Sequence, residues 1–127
     1  MTLLIALGGA IGAVSRYTLS GWITVLLGES FFPYGTLAVN LVGCFLLGVV
    51  QQIGETTNQF SQFKRIAIAV GFLGALTTYS TFGYETLRQL ESGRVLAPIG
   101  NVGAHLVFGL LAVWMGITLA RIIWGGA

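Results

Sequence analysis

The sequence predicts an all-α integral membrane protein of four transmembrane helices, and three observations carry that expectation. Apolar residues make up 55% of the 127-residue chain and charged residues only 8%, too few charges to coat a water-soluble globule. Apolar stretches of about 20 residues, enough to cross roughly 30 Å of hydrocarbon, recur four times along the chain. Glycine is abundant, at 19 residues against 2 prolines, a mixture suited to closely packed membrane helices. The connections are too short to hold a soluble domain, so residues 1–127 read as a single four-helix transmembrane domain.

The first span, Leu3 to Leu27, carries Arg16 near its middle. A lone arginine there costs about 3 kcal/mol on insertion scales, so Arg16 must face water, protein or a counter-charge. No basic region precedes the span and no small-residue cleavage site follows it, so it is expected to remain in the mature protein. The second span, Tyr34 to Ile53, holds Asn40 alone among apolar residues. Its amide needs hydrogen-bond partners, and donation to an anion and bonding between helices are both open. Cys44 in the same span reads as packing.

The third span, Ile66 to Leu90, runs into five consecutive hydroxyl-bearing residues, Thr77, Thr78, Tyr79, Ser80 and Thr81. Threonine is stiff at χ1, and serine and threonine compete with the helical ladder for nearby backbone groups, so a break at membrane depth is expected. The alternative is an unbroken helix whose hydroxyls bond back to the preceding turn. Irregular backbone at this depth must be buried in protein or line a watery cavity, and freed carbonyls such as those of Gly74 and Thr77 could then coordinate a hard cation. Tyr79 and Phe82, three residues apart, share a helix face. Their electropositive ring edges could meet an anion or simply pack. Glu85 closes the span as a pore-end ligand, a partner for Arg16 or a solvated terminus. In the fourth span, Leu96 to Trp124, a stripe of Asn101, His105 and Gly109 recurs every four residues, suited either to a water-filled path or to close helix packing around a satisfied histidine.

The connections Gly28 to Pro33, Gly54 to Arg65 and Glu91 to Val95 are short and polar or turn-rich. The termini and the second connection share one side of the membrane with Lys64, Arg65 and Arg121; Arg88 and Arg94 lie on the other. Because lysine and arginine asymmetry sets orientation, so even a balance fits a chain that inserts both ways and forms an antiparallel dimer, or one whose single orientation is weakly specified. The basic residues form no stripe of the kind nucleic acid needs. An enzyme is not expected, since no nucleophile sits beside a base and no metal-ligand cluster is present.

Three segments, Gly9 to Tyr17 (GAIGAVSRY), Gly35 to Gly43 (GTLAVNLVG) and Gly71 to Phe82 (GFLGALTTYSTF), resemble the signature stretches of the fluoride-channel family called Fluc or CrcB, and the resemblance covers essentially the whole chain. It implies a fluoride-selective channel exporting toxic fluoride passively across the bacterial cytoplasmic (inner) membrane. It further implies a dual-topology antiparallel homodimer with two pores and a structural sodium ion on the dimer axis. By the same resemblance the sodium is held by backbone carbonyls at Gly74 and Thr77, the anion pore by Asn40, Tyr79, Ser80, Thr81 and Phe82, and the vestibule by Arg16. Glu85, Asn101 and His105 are further candidates for the pore lining. Two departures stand out: Tyr79 where the family often has phenylalanine, and His105 where a small or hydroxyl-bearing residue is expected.

A small proton-coupled four-helix exporter is the competing class. It would need a titratable carboxylate near the midplane, and the one acid within a span is Glu85, near its end. A membrane assembly factor without transport would have no use for the polar stripe.

Overall fold

The computed structural model describes residues 1–28, 30–56 and 61–125. Helix α1 spans Thr2–Leu27 and α2 spans Tyr34–Thr56. The third span is composite: α3 (Gln62–Ile66), a π-helical stretch (Ala67–Leu73), α4 (Gly74–Leu76) and α5 (Tyr79–Glu91). Helix α6 spans Leu96–Trp124. Four helices are thus long and apolar enough to cross a membrane, the third counted from Gln62 to Glu91.

The helix limits depart from the apolar runs where polar residues continue a helix. Helix α2 passes Ile53 to end at Thr56, and the third span begins at Gln62, ahead of the expected Ile66. It begins there because Ser61 caps it, its side chain accepting from the Lys64 N–H at 3.4 Å. Lys64 and Arg65, expected in a connection, are therefore helical. The rest of that connection, Thr57 to Phe60, and Glu29 of the first lie outside the described residues.

Two helix pairs form the frame. Helix α2 packs most extensively on α6, and α1 on the π-helical stretch. In both pairs the helices run parallel, because contacts advance together along the two sequences: Cys44 meets Gly109 and Gln52 meets Arg121, while Gly8 meets Ala67 and Gly12 meets Phe72. The approach is backbone to backbone. A side chain at Gly12 would collide with the Phe72 carbonyl, and one at Gly116 with the Phe45 carbonyl. Membrane helices, lacking a hydrophobic drive to associate, rely on such small-residue seams to bring their surfaces into van der Waals range.

Few side chains are fully buried; Val39 and Asn101 are the largest. Leu96 is 84% exposed, Val25 79% and Ile122 75%, an apolar exterior that only lipid or another chain can cover. Between α4 and α5 the backbone is extended, Thr77 at φ −82°, ψ 155° and Thr78 at φ −148°, ψ 117°. Thr77 Oγ1 bonds back to the Leu73 carbonyl at 3.1 Å, and Thr78 caps the helix that starts at Tyr79.

The seams set a prediction. Gly116→Val should lower thermal stability in detergent by about 1–3 kcal/mol through overpacking, whereas Gly21→Ala, where nothing lies within 4 Å of the added carbon, should be neutral or stabilising by up to about 1 kcal/mol; melting curves compare the two.

Candidate functional site

The site grows from the two extended residues. An uninterrupted helix would send the Thr78 N–H to the Gly74 carbonyl and the Thr81 N–H to the Thr77 carbonyl. Here the Thr78 N–H donates to Asn40 Oδ1 at 2.7 Å and the Thr81 N–H to Thr78 Oγ1 at 3.2 Å. Asn40 Nδ2 in turn donates to the Thr78 carbonyl at 3.1 Å. One side chain of α2 therefore satisfies both backbone groups of the residue at the interruption, and the carbonyls of Gly74 and Thr77 are left without their helical donors. Two oxygens freed in this way are suited to a hard cation. Among the described residues no group of three His, Cys, Asp or Glu side chains could hold a metal.

A cavity of about 560 Å³ opens on this junction, with Asn40, Gly74, Thr77, Tyr79, Phe82 and His105 among its walls. Phe82 is flanked on two sides: its ring centroid lies 5.6 Å from that of Tyr79, at 51°, and 4.4 Å from that of His105, at 47°. Tilted pairs of this kind turn ring edges, the electropositive part, toward their neighbours and outward. Tyr79 itself is 83% exposed, so its hydroxyl is not absorbed by packing within the chain.

Ser80 and Thr81 are not among the residues lining this cavity; they join a hydroxyl cluster around Thr78. Thr78 Oγ1 donates to Thr81 Oγ1 at 3.0 Å and lies 3.3 Å from Ser80 Oγ. A hydroxyl has a single proton, so at the second contact Ser80 is the donor. Thr81, accepting from Thr78, keeps its own proton for a further acceptor.

The stripe on α6 is tied to α5 through hydroxyls. Asn101, fully buried, donates from Nδ2 to Thr86 Oγ1 at 2.9 Å, and Thr86 Oγ1 donates to the Phe82 carbonyl at 2.7 Å. His105 Nδ1 lies 3.0 Å from the Asn101 carbonyl. A carbonyl only accepts, which assigns the proton of the neutral ring to Nδ1 and leaves the lone pair on Nε2, buried and without a partner in the chain.

Glu85 is held by Thr36, whose Oγ1 donates to Oε1 at 2.7 Å; its Oε2 is buried without a partner. Arg16 is half-buried with an unpartnered Nε. Among the described residues no ion pair joins Arg16 to Glu85. Glu85 instead borders a second cavity of about 450 Å³, with Tyr84, Arg88 and Gln89 from α5, Phe31 from the α1–α2 connection and Tyr34 from the start of α2.

Sequence reasoning missed Thr78, the hub of the junction, and the supporting Thr36 and Thr86. A threonine three residues ahead of Thr81 is a helix-start signal that the longer hydroxyl run obscured. The π-helical stretch has no signature in the apolar pattern at all.

Residues 3–117 match the family model described as CrcB-like protein, Camphor Resistance (CrcB). A protein of Geobacter metallireducens named fluoride-specific ion channel FluC is 47% identical over 117 residues, 92% of this chain and 94% of the relative. Proteins of the same name from Citrifermentans bemidjiense and Pelobacter propionicus are 49% identical over 117 residues and 46% identical over 125, the latter covering 98% of this chain and 96% of the relative.

The junction can be tested directly. Asn40→Leu leaves the N–H and C=O of Thr78 unpaired and should lower stability by about 2–6 kcal/mol at about 1–3 per stranded group. Thr78→Val, which removes only the cap and its hydroxyl contacts, should lower it by about 1 kcal/mol. Thermal melts in one detergent rank them.

Proposed function

The chain belongs to the CrcB family, and from that premise we propose that it is a fluoride-selective channel of the bacterial cytoplasmic membrane, exporting the ion passively down its electrochemical gradient. The observation that carries the reading is the junction at Thr77 and Thr78, where backbone, hydroxyls and aromatic rings converge between apolar helices. It is supported by the name shared by relatives matching nearly the whole chain.

The working unit in this reading is an antiparallel homodimer, its third span broken at membrane depth and each copy contributing to one of two pores. Two properties support the dimer. The even distribution of basic residues gives no strong orientation, and the cavity walled by Gly74 and Phe82 needs a cover that lipid would give only by stranding polar groups. The carbonyls of Gly74 and Thr77, deprived of helical donors, would hold a structural sodium ion, which supplies charge to tie two negative carbonyl ends together.

Fluoride is small and strongly hydrated, so a path must replace its water with donors while narrowness rejects larger halides. Thr81 has a hydroxyl proton to offer and one N–H of the Asn40 amide remains after its bond to Thr78, while Ser80 gives its proton to Thr78 and would reach the ion only by exchanging that partner for it. The edges of Phe82 and Tyr79 add weak positive contacts without a full charge, which favours release as well as entry. Arg16 raises the local anion concentration at the vestibule, while Asn101 fixes His105 and, through Thr86, the backbone of Phe82. No step calls for a nucleotide or a covalent intermediate.

Liposomes containing the purified protein should release fluoride rapidly and retain chloride, as followed by ion-selective electrodes. Phe82→Ile should reduce fluoride efflux to that of empty vesicles while the dimer still elutes intact. Glu85 separates this reading from a proton-coupled exporter. In a channel, Glu85→Gln leaves net flux following the fluoride gradient; accumulation driven by an imposed pH gradient and abolished by that substitution would establish the carrier.

A further inference from the structure

Where α2 and α6 end and α3 begins, three cations share one end of the helices. Arg121 is anchored: its Nε donates at 3.1 Å to Oε1 of Gln52, a side chain only 6% exposed. With one donor used, the two terminal nitrogens of its guanidinium fork remain for an outside acceptor. Arg65 lies across α2 at Gly54, its Nη1 3.2 Å from where a β-carbon would stand, and Lys64 precedes it on α3. Glu55 is the only carboxylate side chain at this end among the described residues, and the only ion pair among them joins Arg88 to Glu91 at the opposite end. The cluster therefore carries excess positive charge. Beside it, Ile122 and Ile123 are 75% and 54% exposed, and Trp124 lies one turn beyond Arg121.

We propose that this cluster binds the phosphodiester headgroup of an anionic phospholipid. Arginine forks match phosphate oxygens in charge and geometry, and a buried glutamine that holds Nε fixes the direction of the fork before the ligand arrives. The neighbourhood selects a lipid over a soluble phosphate. The cations sit at the ends of the spans, Trp124 provides the amphipathic ring favoured at headgroup level, and Ile122 and Ile123 offer apolar surface to an acyl chain. The assignment rests on the four spans alone and is independent of what the protein transports.

The test is the melting temperature of the whole protein in mixed micelles of one detergent with phosphatidylglycerol or phosphatidylcholine. Phosphatidylglycerol should stabilise more, the preference should shrink at high salt, and sn-glycerol 3-phosphate should give no shift. In lipid titrations Arg121→Gln should weaken phosphatidylglycerol binding about fivefold, as about 1 kcal/mol per basic residue gives, and Lys64→Gln with Arg65→Gln should remove most of the remaining preference. Arg88→Gln and Arg94→Gln at the other end should keep it. Equal stabilisation by the two lipids, a preference indifferent to salt, or the same shift from sn-glycerol 3-phosphate would each overturn the proposal. If Arg121→Gln proves unstable in phosphatidylcholine alone, the salt dependence of the unmodified protein decides.

Discussion

Extended backbone such as that of Thr77 and Thr78, set between apolar helices, faces one severe constraint: hydrocarbon offers no hydrogen bonds, so a backbone group that loses its helical partner there needs another inside the protein or in water. Asn40 meets that constraint with a single side chain, its oxygen taking the Thr78 N–H and its nitrogen giving to the Thr78 carbonyl. An amide is the one uncharged side-chain group with a donor and an acceptor side by side. Aspartate would present only acceptors and a charge, and leucine would strand both groups. The position of the interruption therefore depends on a residue that is distant in sequence and lies on another helix.

The rest of the site follows from that clamp. Once Thr78 is extended, its hydroxyl is free to cap α5, which fixes the first turn and with it the neighbouring rings of Tyr79 and Phe82. The same exchange deprives the carbonyls of Gly74 and Thr77 of their donors. Support comes from the frame on either side. The π-helical stretch ahead of the interruption rests on the glycine seam of α1, and the turn behind it is tied to α6 through Phe82, Thr86 and Asn101. A shift in either seam would be transmitted to the junction because these contacts join backbone to backbone or pass through short, rigid hydroxyl bridges.

Much of this was legible in the sequence because it rests on local chemistry. The four spans follow from apolar runs, and α6 has the limits that the run predicts, Leu96 and Trp124. Tyr79 and Phe82 stand together as their spacing requires. The partners of Asn40, Glu85 and Asn101 were not legible, because each lies on a different helix and depends on how the spans pack. Thr36 meets Glu85 across 49 positions and Asn40 meets Thr78 across 38. No periodicity in one chain reports such pairings. The limits that moved, at Thr56 and Gln62, moved because a cap and polar residues sustain a helix beyond its apolar core.

The polar atoms left over extend the argument from the junction to its surroundings. Among the described residues, Arg16 Nε, Glu85 Oε2, Gln89 Oε1, Asn101 Oδ1 and His105 Nε2 are buried and lack a partner in the chain. Each such group costs about 1–3 kcal/mol if it stays unpaired, and five together would rival the whole stability of a small domain. Four of the five lie on α5 and α6, and three of these, on Glu85, Gln89 and His105, belong to residues that line the two cavities. Under the proposed channel function these atoms are the ones left available to an ion and its water, since groups spent on holding the fold together could not also serve a passing ion.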